Sequence, residues 1–413
     1  MKTIPAIAFA SFVLGTNVIL ARPANPSLFS TNKDIGWPRH AGSVVCHPSA
    51  GTYLVSGGGS NMWARTDDFH FVYKEMSGDL SFSAGVRWPK PGGNPHRKAC
   101  LMIRQSLDPD SPYVDVAQHG VGLTALQFRE AKRGNTQEIQ SGFSGPARIG
   151  LEKRGDYVSF WISNNGEELH PAGGSFKLPL TKPFYVGLAV SAHDNNTIEQ
   201  AEFSRVELKA LPPLAAHVRG QVQSTLEFMP IASTDRTIVY HTNVNIQAPH
   251  WTRDNHLIFN CGGRWYKIGI TNGSVPEPIN IQDPGLDDTP EHSPDGQYIY
   301  FNSERSGLMQ IWRMKTDDSE QTQMTPNDGH NNWFAHISPD GRRMVFLTFD
   351  KDVKPNDHPA SRDVTLRMMP ANGGAITTLA KFFGGEGTIN VPSWSPDSRN
   401  IAFVTCTMIF GPN

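Results

Sequence analysis

The sequence predicts an all-β chain built from two units. Three observations predict it. A Ser-Pro-Asp turn followed by an apolar strand recurs through the second half. Short alternating strands broken by Gly, Pro, Asn and Asp fill the first half. The 413 residues carry Gly 38 and Pro 31, and no long stretch has the period of an amphipathic helix.

Taken in order, Met1 to Ala21 reads as a secretory signal. Lys2 supplies the positive end, Ile4 to Leu14 the apolar run, and Ala21 the small residue before a cut. Thr16 and Asn17 interrupt the apolar run, which is short for a membrane span. The expected location is periplasmic or secreted, with no membrane span after cleavage. Export permits disulfides, but Cys46, Cys100, Cys261 and Cys406 are too widely spaced for a zinc pattern, and four buried free thiols are expected. A net charge of −2 argues against a nucleic-acid partner.

Residues 30–210 carry strands at Thr52–Val55, Phe69–Tyr73, Leu80–Ala84, Cys100–Arg104, Tyr157–Ile162 and Phe184–Val190. Strands at this spacing form a sandwich. The stretches Gly59–Trp63, Asp68–Lys74, Lys98–Arg104, and His119-Gly120 before Leu126–Arg129 carry a resemblance. This unit resembles the concanavalin-like jelly-roll domains of unassigned function. The resemblance implies a jelly-roll sandwich and lectin-like binding of a glycan or cell-envelope polymer. Near these motifs stand Arg87, Trp88, Arg104, His119, Gln127 and Arg129. Trp88 can stack on a sugar ring, while Arg104, His119, Gln127 and Arg129 can bond hydroxyls. The plainer reading is a structural network of Arg and His. No paired-carboxylate motif such as Glu-x-Asp-x-Glu stands on one strand, which argues against glycoside hydrolysis by this unit. Residues 211–225, with Pro212-Pro213, read as a linker.

Residues 226–413 hold the repeats. His292-Ser293-Pro294-Asp295-Gly296 precedes Tyr298–Asn302, Ser338-Pro339-Asp340-Gly341 precedes Met344–Leu347, and Ser395-Pro396-Asp397-Ser398 precedes Ile401–Val404. A weaker copy is Thr252-Arg253-Asp254-Asn255. Ser suits the first position of a type I turn, Pro presets φ at the second, and Gly or Asn takes the left-handed residue that follows. Ser398 suits that place least. The four aspartates are 41, 45 and 57 residues apart, the spacing of four-stranded propeller blades. Thr237–Thr242 lacks the turn and is expected as an outer strand closing the last blade.

With Ile311–Met314 and Gly384–Trp394, these turns make this half resemble TolB-like β-propellers. The resemblance implies a propeller that binds an envelope protein or a biopolymer. Such relatives usually carry six or more blades. Four are recognisable here, and the short join from Pro278 to Asp287 leaves closure of the ring open.

One channel position recurs two residues before each turn, at His250, Glu291, His336 and Ser393. Two His and one Glu around one axis could hold a divalent metal such as zinc, manganese or nickel. The plainer reading is that they cap strands and order channel water. No Gly-x-Ser-x-Gly elbow, phosphate loop or dinucleotide fingerprint is present. The leading expectation is a binding protein without catalysis and without a cofactor. The alternative is a polysaccharide lyase or glycoside hydrolase with a metal-dependent site at His250, Glu291 and His336.

Overall fold

The computed structural model describes residues 27–29, 31–166, 168–213, 220–271, 273–280 and 290–410. The expected signal, 1–21, lies outside them, as does most of the Pro278 to Asp287 join. Among the described residues the regular structure is almost all strand. Its helical elements among the described residues are two three-residue 3-10 turns, Pro48–Ala50 and Glu386–Thr388. No helix there is long and apolar enough to cross a membrane.

The first half contributes β1 (Thr31–Ile35), β2 (Ser43–His47), β3 (Thr52–Gly57), β4 (Asn61–Trp63) and β5 (Thr66–Met76). β6 (Asp79–Arg87), β7 (Lys98–Arg104), β8 (Tyr113–His119), β9 (Leu123–Arg129) and β10 (Gln137–Ser144) follow. β11 (Arg148–Arg154), β12 (Tyr157–Ser163), β13 (His170–Lys177), β14 (Phe184–Ser191) and β15 (Glu199–Leu211) complete it. They form a sandwich. One sheet runs β13-β12-β11-β6-β15-β3-β2, and the other β1-β5-β14-β7-β8-β9-β10. Alternate residues of both sheets meet in one core that includes Val55, Phe82, Leu101, Val116, Phe128, Phe160 and Phe203. Deep burial of such side chains is the main favourable term.

The second half contributes β16 (Gln221–Pro230), β17 (Arg236–Thr242), β18 (Ile246–Trp251), β19 (His256–Cys261), β20 (Arg264–Gly269) and β21 (Glu277–Ile279). β22 (Glu291–His292), β23 (Tyr298–Ser303), β24 (Gln310–Lys315) and β25 (Thr322–Gln323) form the second blade. β26 (Asn331–Ile337), β27 (Arg343–Phe349), β28 (Ala360–Pro370) and β29 (Thr377–Gly385) form the third. β18-β19-β20-β21 is the first blade. The fourth mixes both ends of this half. β30 (Asn400–Ile409) pairs with β16, β16 pairs with β17, and Trp394 bridges Ile401 on the inner side. Thr237–Thr242 is thus an outer strand of the last blade, as its position in the sequence suggests.

The turns take the expected form. Gly296, Gly341, Asn255 and Ser398 all have φ between 58 and 71. In three copies the first Ser donates Oγ to the Asp carboxylate at 2.6 Å. The same carboxylate accepts a backbone N–H two residues on, at 3.1 Å. The motif therefore needs its Ser and Asp as a pair, not only as good turn formers.

Blade packing runs first to fourth to third to second. Leu226, Leu257, Phe259 and Val404 join the first and fourth blades. Met229, Val345, Phe382, Trp394 and Phe403 join the fourth and third, and Tyr300, Ile311, Met344 and Phe346 join the third and second. Among the described residues no core cluster joins the first blade to the second. The segment that joins those two blades, 280–290, lies mostly outside the described residues.

The two halves share a sheet. β10 pairs in parallel with β17, through Ile139 with Arg236 and Gln140 with Thr237. Ile238 of β17 is buried in the sandwich core. Gly173 in β13 makes this approach possible. A Cβ there would sit 3.0 Å from the Thr225 methyl, and its φ of 77 disfavours any side chain. The four cysteines are free, but Cys100 alone is buried. Cys46, Cys261 and Cys406 are half-buried, Cys46 because β2 is a sheet edge.

Candidate functional site

On the face of the β1-β5-β14-β7-β8-β9-β10 sheet turned away from the main core, pairing sets polar residues in rows. Arg104 lies opposite Tyr113 and Tyr113 opposite Arg129. Asp115 lies opposite Gln127, which lies opposite Glu138, and Lys98 lies opposite His119.

The arginine row closes on one carboxylate. Arg129 makes a bidentate pair with Asp67 at 2.7 and 2.9 Å, and Arg104 reaches the same group at 3.3 Å. All three side chains have no exposed surface. Arg104 also donates to the Ser106 and Asp108 carbonyls at 2.6 and 2.5 Å, which ties down the β7–β8 loop. Removing one member of such a group costs about 3–5 kcal/mol, because a buried charge is left uncompensated. Arg104 and Arg129 hold the sheet together and present nothing to a ligand.

The adjacent rows form a second network. Lys98 donates from Nζ to the Met62 carbonyl and to Gln127 Oε1, both at 3.0 Å. Gln127 donates to Glu138 at 2.9 Å and lies 3.4 Å from His119 Nε2. Burial, then the neighbouring Lys98 charge, pushes His119 down to about 3. Asp115 is buried, with no hydrogen-bond partner for either oxygen among the described residues. Burial pushes its carboxyl up to about 8 against the pull of Lys98. His119 and Gln127 are thus brought together, but as a buried network. Trp88 stands apart from them. The Arg97 guanidinium lies 4.3 Å over its ring and is itself held by Glu199 at 2.7 Å, so that face is covered.

The channel positions prove to be links between blades. Glu291 accepts from the Ile337 N–H at 2.7 Å and pairs with His336 Nδ1 at 2.6 Å. His336 donates from Nε2 to the Ile389 carbonyl at 2.6 Å. His250 bonds the Pro392 carbonyl at 3.0 Å, and Ser393 the Pro249 carbonyl at 2.7 Å. Both ring nitrogens of His336 are engaged within the protein, one by Glu291 and one by the Ile389 carbonyl, so neither faces an open ligand position. Glu291 and His336 meet, while His250 serves a different junction. Among the described residues no group of three or more His, Cys, Asp and Glu could hold a metal ion.

A place that sequence reasoning missed lies between the halves. A groove of about 600 Å³ is walled by β12 and β13 of the sandwich and by β27 to β29 of the third blade. Tyr157 donates to Asp363 at 2.6 Å, and Lys177 pairs with the same carboxylate at 2.5 Å. Burial first, and then Asp363, raises the Tyr157 hydroxyl above its ordinary value. Lys381 faces Glu130 at 3.6 Å. These partners stand about 200 positions apart, and neither Tyr157 nor Asp363 sits in a motif.

Residues 220–356 match the TolB beta propeller domain family. These residues are similar to a TolB propeller domain, in keeping with the turns and blades of this half. An uncharacterised protein of Agrobacterium fabrum is 40% identical over 157 residues, covering 37% of this chain and 53% of that protein. The chain spans about half the length of that curated relative. A TolB candidate of known structure from Agrobacterium tumefaciens is 25% identical, with 46% of this chain and all of that chain covered at a TM-score of 0.42. A functionally unknown protein from Saccharomyces cerevisiae is 15% identical, with 45% and 97% covered at a TM-score of 0.35.

Proposed function

We propose that the protein is an exported, periplasmic or secreted binding protein without catalytic activity. Its propeller takes an envelope protein or another biopolymer, and its sandwich, a concanavalin-like jelly roll, contributes to holding a glycan. The TolB-like match over residues 220–356 supports the propeller part. One observation carries the non-catalytic part: the polar side chains best placed to act are already bonded within the protein. His336 is bonded at both nitrogens, and Arg104 and Arg129 are locked on Asp67. These side chains are turned to their own neighbours rather than to an open site.

The test uses the chain without residues 1–21 on a glycan array, with release of reducing ends and unsaturated products followed on the same glycans. Binding with no product is the expected result. Product formation would replace this reading with the lyase or hydrolase alternative. An array with no bound glycan would remove the glycan half of it.

A further inference from the structure

We infer that the groove between sandwich and third blade is the glycan site, and that it takes a neutral, hydroxyl-rich oligosaccharide. This rests on the glycan reading above and adds the place and the class of ligand. Binding sites favour domain interfaces, and ligand pockets commonly measure about 300–1,000 Å³. The groove, at about 600 Å³, lies within that range.

The chemistry of the lining selects the ligand. The walls carry three carboxylates, Glu130, Asp350 and Asp363, and three fixed cations, Lys177, Arg367 and Lys381. The balance gives no preference for either sign of charge. The three cations are also already matched, while Asp350, the third carboxylate, is 76% exposed and lies 3.7 Å from His330 Nε2. Lys177 holds Asp363, Lys381 faces Glu130, and Arg367 donates to Asp328 at 2.8 Å. An anionic ligand would have to break one of these pairs and leave its carboxylate uncompensated, and a cationic one would meet only Asp350, a carboxylate largely in solvent, where its attraction is screened. A hydroxyl both donates and accepts, so it can join a matched pair without splitting it. An ammonium has three donors and a carboxylate about four lone-pair sites, so each pair keeps capacity for such a guest. These pairs are accessible: the side chains of Lys177 and Asp363 are 49% and 38% exposed, and those of Lys381 and Glu130 59% and 37%.

Aromatic surface stands beside this polar set. Tyr157 and Phe383 are half-buried and meet edge to face, with ring centroids 6.0 Å apart. One ring comes from each half of the protein. Lys177 Nζ lies 5.5 Å over the Tyr157 ring, so Phe383 is the ring offered to a ligand, and an apolar ring next to matched polar groups suits a sugar, which has apolar C–H faces and a hydroxyl rim. The arrangement also explains why the halves are fastened together. Each supplies one wall, and the Tyr157–Asp363 bond fixes the width between them.

The experiment is calorimetric titration of the chain lacking residues 1–21. The probes are cellohexaose, maltohexaose and chitohexaose, with hexagalacturonate and a mixed hexapeptide library as comparisons. At least one neutral hexasaccharide should bind. Phe383→Ala and, separately, Lys381→Gln should each weaken it tenfold or more at an unchanged melting temperature. Trp37→Ala, at an exposed loop of the sandwich, should leave affinity unchanged. Neutral binding that ignores both groove variants would overturn the site while leaving the glycan reading in place. Binding of hexagalacturonate alone among the saccharides would overturn the ligand class. No binding of any saccharide would overturn both.

Discussion

Ser398 and Gly341 occupy the same place in two copies of one turn, with φ of 61 and 71. A side chain in this conformation costs roughly 1–2 kcal/mol. Ser398 offsets part of that by accepting the Asp340 N–H at 3.0 Å, a bond between the third and fourth blades worth about 0.5–1.5 kcal/mol. Gly341 has no neighbour within 4 Å of an added Cβ, so only the backbone term applies there. Gly341→Val should therefore lower stability by about 1–2 kcal/mol in urea unfolding, whereas Ser398→Gly should change it by less than about 1 kcal/mol. The second residue-scale prediction concerns Asp115. Its carboxyl is raised from 3.8 to about 8 by burial, so the folded chain holds a proton that the unfolded chain has lost. That group's contribution is fully present below pH 3.8 and is lost as pH rises through about 8. His119, held at about 3, pulls the other way between pH 3 and its ordinary 6.5, so the difference between variants is the proper readout. Asp115→Asn should gain in melting temperature over the parent steadily from pH 4 to pH 8. A constant difference across that range would show that Asp115 does not titrate there.

Strands decide which of these residues meet. The period of two puts Lys98, Cys100, Met102 and Arg104 on one face of β7 and Ala99, Leu101 and Ile103 in the core. Alternation of this kind was readable in the sequence, and so were the blade turns, because both are local. The outer face of β7 to β9 was harder to read. Its polar residues look like a binding surface until β4 and the loop through Pro109 are seen to cover them. The channel positions follow the same logic. Equivalence of His250, Glu291 and His336 was legible from the turns, but which neighbour each would bond depends on blade packing. At this scale the parallel β10–β17 pairing is the most consequential element, because it carries the sandwich sheet into the fourth blade. Thr237→Pro removes an N–H from the strand between β10 and β16 and should cost about 1–3 kcal/mol. Hydrogen exchange should rise in β10 and β17 before it rises in β7. Uniform acceleration over the whole chain would mean that the seam does not open as a unit.

At the scale of the whole molecule the question is what keeps two halves in one fixed relation. The ion pair between Lys177 and Asp363 is half in solvent, and such pairs are worth about 0–1 kcal/mol. The Tyr157 bond to the same carboxylate adds about 1.5–3 kcal/mol. Burial of Ile238 in the sandwich core adds a comparable amount, about 1.5–3 kcal/mol. The backbone seam and the buried isoleucine thus act beside a surface latch of comparable size. Protease cleavage between Leu211 and Gln221 should leave two fragments that still co-elute on gel filtration in native buffer. Asp363→Ala should lower the urea concentration that separates them without releasing them in its absence. Fragments that part in native buffer would show that the linker alone joins the halves. The sequence by itself determined the all-β class, the sandwich pattern, the propeller repeat and the turn geometry, since each is written in residues a few positions apart. Only the tertiary structure decided that the arginines are buried, that His336 links blades, and that Tyr157 meets Asp363. Those outcomes depend on pairs separated by tens to hundreds of residues, where no local preference constrains the contact and packing of whole sheets does.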